Sequence, residues 1–241
     1  MPQPLVTENA KHIVDKESNK VFSNFHNQLL FVETKISSSD LKTLKDKAKI
    51  CLENQDNFSK ANKTLAGNME KEFNLDESFE KILFPYSSYL ANKFEKIAKD
   101  TSQKQEQSNT KKAVSNWVST KLWINLQKKH EFNPTHLHSG DYSFVLWIQI
   151  PYNLKEELEL ENCKNSNSKH NSLFSFSFLD LYGRITENTL SIDKTWEGTM
   201  ILFPSKLNHQ VFPFYTSDDY RISISGNLYM LPPSKKTFSY Q

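Results

Sequence analysis

The chain is 241 residues long, with 30 basic residues against 28 acidic and a formal net charge of +2 at pH 7. That length suits one large domain with a substantial core, and so even a charge balance gives no basic surface for a nucleic-acid partner. No run approaches the roughly 18 apolar residues of a membrane span, the N-terminus lacks the basic-then-apolar pattern of a secretory signal, and Cys51 and Cys163 have no metal-type spacing; a soluble protein of the reducing cytoplasm is expected.

Residues 1–20 are polar and carry Pro2 and Pro4, which predicts a loosely held arm. QLLFVETKI (28–36) is rich in β-branched and aromatic residues and reads as a strand. Residues 37–54 read as a helix capped by Ser39 or Asp40, with Leu41, Leu44, Ala48, Cys51 and Leu52 on one face. A second helix is predicted over about 75–100 from Phe79, Ile82, Leu83, Tyr86, Leu90, Phe94 and Ile97. Pro85 predicts a kink or break in it near Phe84. Residues 101–112 form a polar connector.

Beyond residue 114 the pattern becomes that of short strands: 117–126, 142–151, 173–181, 198–204, 209–214 and 221–231. Phe174, Phe176 and Phe178 alternate with Ser175 and Ser177, a period of two. Gly183, Gly198 and Pro204 punctuate the series. The expected fold class is α+β, a jelly-roll core with supporting N-terminal helices. Residues 1–112 would supply the arm, strand and helices, residues 113–232 the core, and 233–241 a tail. Residues 153–172 are a polar insertion between two strands, either a surface loop or a lid over a site.

Of seven histidines, His12, His26, His130 and His170 have no useful context. His136 and His138 sit two apart in NPTHLHSGDYSF, so in extended chain both point to one side and can converge on one ion. A third ligand has to come from elsewhere; His209, in FPSKLNHQVFPF, follows a strand that ends at Pro204. Only Arg184 and Arg221 are arginine, against 28 lysines, and lysine cannot reproduce the guanidinium fork. Arg221 and Ser223 share a strand face, a suitable cradle for a carboxylate. Trp123 and Trp147 are expected to pack in the core, while Asn125 or Tyr142 could hydrogen-bond a co-substrate.

H-x-H before a strand, a Gly198…Phe203–Pro204 turn, a later histidine and R-x-S resemble, in that order, the Fe(II)- and 2-oxoglutarate-dependent oxygenases. The resemblance is closest to prolyl-hydroxylase-like members of bacteria and marine phages, through FPSKLNHQVFPF, RISISGN and WVSTKLWINLQKKHEFNPTHLHSGDYSFV. It covers about 115–230 and is vaguer before residue 110, where KTLAGNMEKEF (63–73) is also similar. The resemblance implies a double-stranded β-helix, with Fe(II) on His136, His138 and His209 and 2-oxoglutarate on Arg221 with help from Ser223. It further implies O2 as oxidant, succinate and CO2 as products, and hydroxylation of an unactivated C–H bond of a protein or small molecule, a peptidyl residue being one case. For a phage member the host cytoplasm would be the location.

One residue departs from the family pattern. A carboxylate usually stands where this chain has His138. Either three histidines bind and Asp141 orients an imidazole from behind, or Asp141 swings in through the turn that Gly140 permits. Two other readings are a cupin-like three-histidine enzyme that uses no 2-oxo acid, for which Arg221 and Ser223 have no purpose, and a jelly-roll binding protein without catalysis.

Overall fold

The computed structural model describes residues 21–23, 29–102, 116–180 and 182–231. The expected arm, all but the first two residues of the 101–112 connector, and the tail lie outside the described residues, as do His12 and His26. In chain order the elements are β1 (Val21–Ser23), β2 (Leu29–Lys35), α1 (Ser38–Glu53), β3 (Glu72–Asn74), α2 (Glu77–Ser102), β4 (Asn116–Gln127), β5 (Asn133–His136), β6 (Tyr142–Gln149), α3 (Leu154–Leu158), β7 (Phe174–Leu179), β8 (Ile185–Leu190), β9 (Thr199–Pro204), β10 (Asn208–Val211) and β11 (Arg221–Leu231). Among the described residues no helix is long and apolar enough to cross a membrane.

The strands form two antiparallel sheets, one of seven strands in the order β1-β2-β9-β6-β11-β4-β3 and one of four in the order β5-β10-β7-β8. This is the expected α+β fold, a jelly-roll core with helices on its outside. β6 shows why its sequence reads as an unbroken apolar run. Phe144, Leu146 and Ile148 pack outward in a core with the helices, while Val145 and Trp147 point inward to a second core between the sheets. Each of these fully buried side chains contributes about 1.5–3 kcal/mol.

Both helices cover the large sheet, with corrections to the sequence expectation. Ser37, not Ser39 or Asp40, caps α1: its Oγ accepts from Asp40 N at 3.1 Å. Asp40 serves the same corner differently, its carboxylate accepting from Ser37 Oγ and Tyr86 Oη. α2 runs through Pro85 without a break. Leu83, Tyr86, Leu90, Ala91 and Phe94 are all buried on that helix, and their packing outweighs the cost of about 3 kcal/mol of an interior proline.

The 153–172 insertion is not a detached loop. It opens with α3, whose Glu157 is fully buried and accepts from Tyr215 N, Thr216 N and Thr216 Oγ1 at 2.9, 2.7 and 2.6 Å. Asn171, at its other end, donates to Glu157 O at 3.0 Å.

Candidate metal centre

β5 and β10 are neighbours in the small sheet, and their register sets His136 directly opposite His209. His138 follows β5 by two residues and is held by its own backbone: His138 N donates to Ser205 O at 2.9 Å. The ligating atoms of the three imidazoles lie within 4.8 Å of one another. Nitrogens each bonded at about 2.1 Å to one first-row ion lie closer together than this, so the rings would have to draw in around the metal.

Two of the rings are oriented from behind. His136 Nδ1 lies 2.7 Å from Pro134 O and His209 Nδ1 lies 2.9 Å from Leu207 O. Donation to those carbonyls leaves each Nε2 as a lone-pair donor. Trp123 stands beside His138 at 5.3 Å, and Phe174 stacks on His209 at 5.7 Å. Burial, and secondarily the adjacent imidazoles, hold the group neutral. His138 is pushed down to about 4, His209 lies well below its ordinary value, and His136 is lowered by burial. Neutral imidazoles have no proton to lose before binding a metal.

Asp141 is not part of the group. Gly140 adopts φ +103°, and a Cβ there would lie 2.9 Å from Leu228 O. That turn sends Asp141 to the end of β11, where its Oδ2 accepts from Met230 N at 2.8 Å and its N donates to Leu228 O at 2.9 Å. It therefore neither reaches the centre nor orients an imidazole. Among the described residues no Asp or Glu joins the three histidines.

The histidines face a pocket whose walls include Trp123, Val145, Phe174 and Phe203, with Leu65 and Ala66 from the segment before β3. Its polar groups are Asn125, Asn133, Ser223 and Ser225. Asn125 Nδ2 donates to Ser223 Oγ at 3.2 Å, and the Oδ1 atoms of Asn125 and Asn133 are buried without a hydrogen-bond partner. Tyr142, by contrast, lies on the opposite face of the sheet, where its hydroxyl donates to Glu95 at 2.9 Å. Of the two candidates, only Asn125 is at the pocket. Trp123 and Trp147 are both buried as expected, Trp123 also lining the pocket.

Arg221 projects from the same face of β11 as Ser223, one pleat deeper, and is 3% exposed. It is a buried cation with no carboxylate within ion-pair distance among the described residues. Neutral acceptors surround it instead: Gln127, Tyr152 and two main-chain carbonyls. Burying a guanidinium without a counterion is costly. Gln127 and Tyr152 were not singled out from the sequence. Gln127 could have been, because it lies two residues from Asn125 on the inward face of β4.

Glu72 lies beside the pocket, across the ladder from Asn125. It is fully buried, its Oε1 has no partner, and a Cβ on Gly67 would sit 2.5 Å from that atom. Burial, then the Glu131 charge, raises it to about 7 from 4.5. A carboxyl raised on folding contributes stability that is complete below its unfolded pKa and lost as pH rises through its folded one. Glu72→Gln should therefore be more stable than the parent at pH 8, by up to about 3 kcal/mol. The gap should close towards pH 5; urea melts at both pH values that give the same difference would show that Glu72 is ionised throughout.

Three imidazoles converging on a pocket are a donor set that suits a mononuclear first-row metal ion. Residues 121–227, which include all three histidines, Arg221 and Ser223, match the family model described as "Putative 2OG-Fe(II) oxygenase". That segment, somewhat under half of the chain, is similar to the family so described, whose cofactor and co-substrate are Fe(II) and 2-oxoglutarate. The three neutral histidines suit Fe(II), and the uncompensated guanidinium with Ser223 suits a carboxylate.

Among solved structures, a Pseudomonas putida prolyl-4-hydroxylase is similar at 11% identity and a TM-score of 0.50, over 84% of this chain and 93% of that one. A 2OG-Fe(II) oxygenase-family oxidoreductase from Burkholderia pseudomallei is 12% identical, with a TM-score of 0.46 over 83% and 84% of the two chains. A Trichoplax adhaerens prolyl hydroxylase, solved with a hypoxia inducible factor peptide fragment, is 12% identical, with a TM-score of 0.43 over 88% and 87%. At such identities the first of these speaks for the fold alone. No curated protein matches the chain in sequence.

Proposed function

We propose that the protein is an Fe(II)- and 2-oxoglutarate-dependent dioxygenase that hydroxylates an unactivated C–H bond. The observation that carries this reading is the convergence of three neutral imidazoles on a pocket lined by Ser223, with an uncompensated buried arginine two residues away on the same strand. His136, His138 and His209 would hold the iron. Arg221 and Ser223 would hold the distal carboxylate of 2-oxoglutarate. With both bound, one atom of O2 enters the substrate as a hydroxyl group and the other enters succinate as CO2 leaves. The protein contributes orientation and exclusion of water. His136 and His209 are fixed by carbonyls, and the walls of Trp123, Phe174 and Phe203 keep the reacting end dry.

Among the described residues, no titratable side chain apart from the histidines lines the pocket. That favours an uncharged group at the reacting end of the substrate, as on an apolar peptidyl residue such as proline. Asn125 and Asn133 would orient it by hydrogen bonds.

Adding Fe(II) and then 2-oxoglutarate without oxygen should produce a metal-to-ligand charge-transfer band. Arg221→Lys keeps the charge but loses the fork. It should weaken 2-oxoglutarate binding by roughly 100-fold, since truncating a buried charged hydrogen-bond partner costs about 2–5 kcal/mol, while metal affinity stays unchanged. Iron binding with no band would mark a metal enzyme that uses no 2-oxo acid. Equal 2-oxoglutarate affinity in Arg221→Lys would remove Arg221 from the site.

A further inference from the structure

A guanidinium has five N–H donors, and in Arg221 all five are engaged. Nε and one N–H of Nη2 donate to Gln127 Oε1 at 3.0 and 2.8 Å. The other N–H of Nη2 donates to Phe212 O at 2.7 Å. Nη1 donates to Tyr152 Oη and to Ser172 O, both at 2.9 Å. A carboxylate that reaches Arg221 therefore cannot simply add to the fork. It has to take the place of an acceptor already there.

The five bonds are not equally expensive to give up. Neither Gln127 Oε1 nor Phe212 O has a donor outside Arg221 among the described residues, so giving up the Nη2 edge would leave Phe212 O without a donor and Gln127 Oε1 with Nε alone. Ser172 O has a second donor, the hydroxyl of Tyr152, at 3.3 Å. If a carboxylate displaces these two acceptors from Nη1, Ser172 O keeps that bond and Tyr152 keeps its own donation. An orphaned buried polar group costs about 1–3 kcal/mol, whereas exchanging one acceptor for another is close to neutral. Nη1 is thus the edge that a carboxylate can take. Ser223, two residues along the same strand face, offers the second contact: its Oγ accepts from Asn125, and its own proton is left to donate.

The two acceptors on Nη1 have a common location. Tyr152 immediately precedes the 153–172 connection and Ser172 ends it. Ser172 is also one of two non-glycine residues at positive φ among the described residues, at 63°, and its buried Oγ has no partner. Such a backbone conformation costs on the order of 1–3 kcal/mol and persists only where surrounding bonds impose it. Here those bonds are Ser172 N to Pro213 O at 2.8 Å and Arg221 Nη1 to Ser172 O.

We propose that the Nη1 edge of Arg221 is shared between the distal carboxylate of the co-substrate and the exit of the 153–172 connection, so that co-substrate entry loosens the chain at Ser172. Tyr152 is the positioning residue of this exchange. It holds Nη1 while the carboxylate is away and keeps Ser172 O hydrogen-bonded once the carboxylate has taken Nη1. The connection does not detach as a whole, because α3 remains anchored through Glu157. The inference rests on the reading of 2-oxoglutarate as co-substrate.

The test uses the full chain loaded with Mn(II), which holds the metal site without turnover, and follows amide hydrogen exchange in peptides spanning 152–173. Saturating 2-oxoglutarate should speed exchange there about three- to tenfold. Pyruvate, a 2-oxo acid without a distal carboxylate, should not. Calorimetry of Tyr152→Phe supplies the second measurement. Loss of the hydroxyl leaves a buried N–H of Nη1 without an acceptor until the carboxylate arrives, so 2-oxoglutarate should bind about three- to tenfold more tightly. A residue that merely supports the fold would weaken binding or leave it alone. Weaker binding in Tyr152→Phe, or unchanged exchange at 152–173 with 2-oxoglutarate bound to the parent, overturns the exchange while leaving the oxygenase reading intact. Failure of the parent to bind 2-oxoglutarate at all overturns both.

Discussion

His138→Ala loses Fe(II) binding, while Asp141→Ala retains it. The first half follows from the donor count. Three imidazoles converge within 4.8 Å, and among the described residues no carboxylate joins them. The loss should exceed the roughly 10–100-fold typical of removing a group that only supports a ligand. The second half follows from the turn at Gly140. Asp141 is held by its own N on Leu228 O, by Ser205 N on its carbonyl and by its carboxylate on Met230 N. Reaching the metal would break all three, so Asp141→Ala should leave metal affinity within about twofold. It should cost only about 1 kcal/mol of stability, for one hydrogen bond at a partly exposed position. Anaerobic calorimetry with Fe(II) on the two variants decides the matter. Loss of metal in Asp141→Ala with retention in His138→Ala would make the aspartate the ligand. His138→Asp should still bind, since it restores the carboxylate usual in the family at a position whose backbone is already fixed by Ser205.

The difference between His138 and Asp141 marks where sequence stops being informative. A period of two tells that His136 and His138 share a side, because alternation is a local property of extended chain. The direction taken by Asp141 is decided by the main chain of Leu228 and Met230, about 90 residues away, and no local pattern encodes it. The same distinction separates the other expectations. β6, β9 and β11 were legible because each carries enough apolar and β-branched residues, in a continuous run or in alternation, to be recognised alone. β3 and β5 were not: one has three residues including a buried glutamate, and the other contains Pro134 and is defined by its partner β10. Pro85 obeyed a local rule that the apolar face of α2 overrode. Arg221 with Ser223 could be read as a shared strand face. That the Arg221 fork is occupied could not, because two of its acceptors are main-chain carbonyls, which carry no residue identity.

Glu157→Ala should be the most damaging substitution away from the metal centre, at about 3–5 kcal/mol. Glu157 has no exposed surface, yet it sits in an insertion whose composition reads as solvent-facing. Its carboxylate takes the main-chain N–H groups of Tyr215 and Thr216 and the Thr216 hydroxyl. Those donors belong to the turn between β10 and β11, the strands that carry His209 and Arg221. Alanine would remove the acceptor of two main-chain N–H groups and a hydroxyl, each such bond contributing about 1 kcal/mol, and would open a cavity beneath α3. For a chain of this size the loss corresponds to roughly 10 °C in melting temperature. Glu157→Gln separates the two contributions, because it fills the space and keeps one acceptor oxygen while placing an N–H₂ where the second oxygen was. It should fall between the parent and Glu157→Ala. The functional consequence is specific: loss of this anchor frees the turn behind Phe212, whose carbonyl holds Nη2 of Arg221. Glu157→Ala should therefore lower 2-oxoglutarate affinity well below the melting transition while Mn(II) affinity, which depends on the opposite end of β10, is preserved. Equal loss of both ligands would mean that α3 supports the barrel as a whole and not the Arg221 end of it.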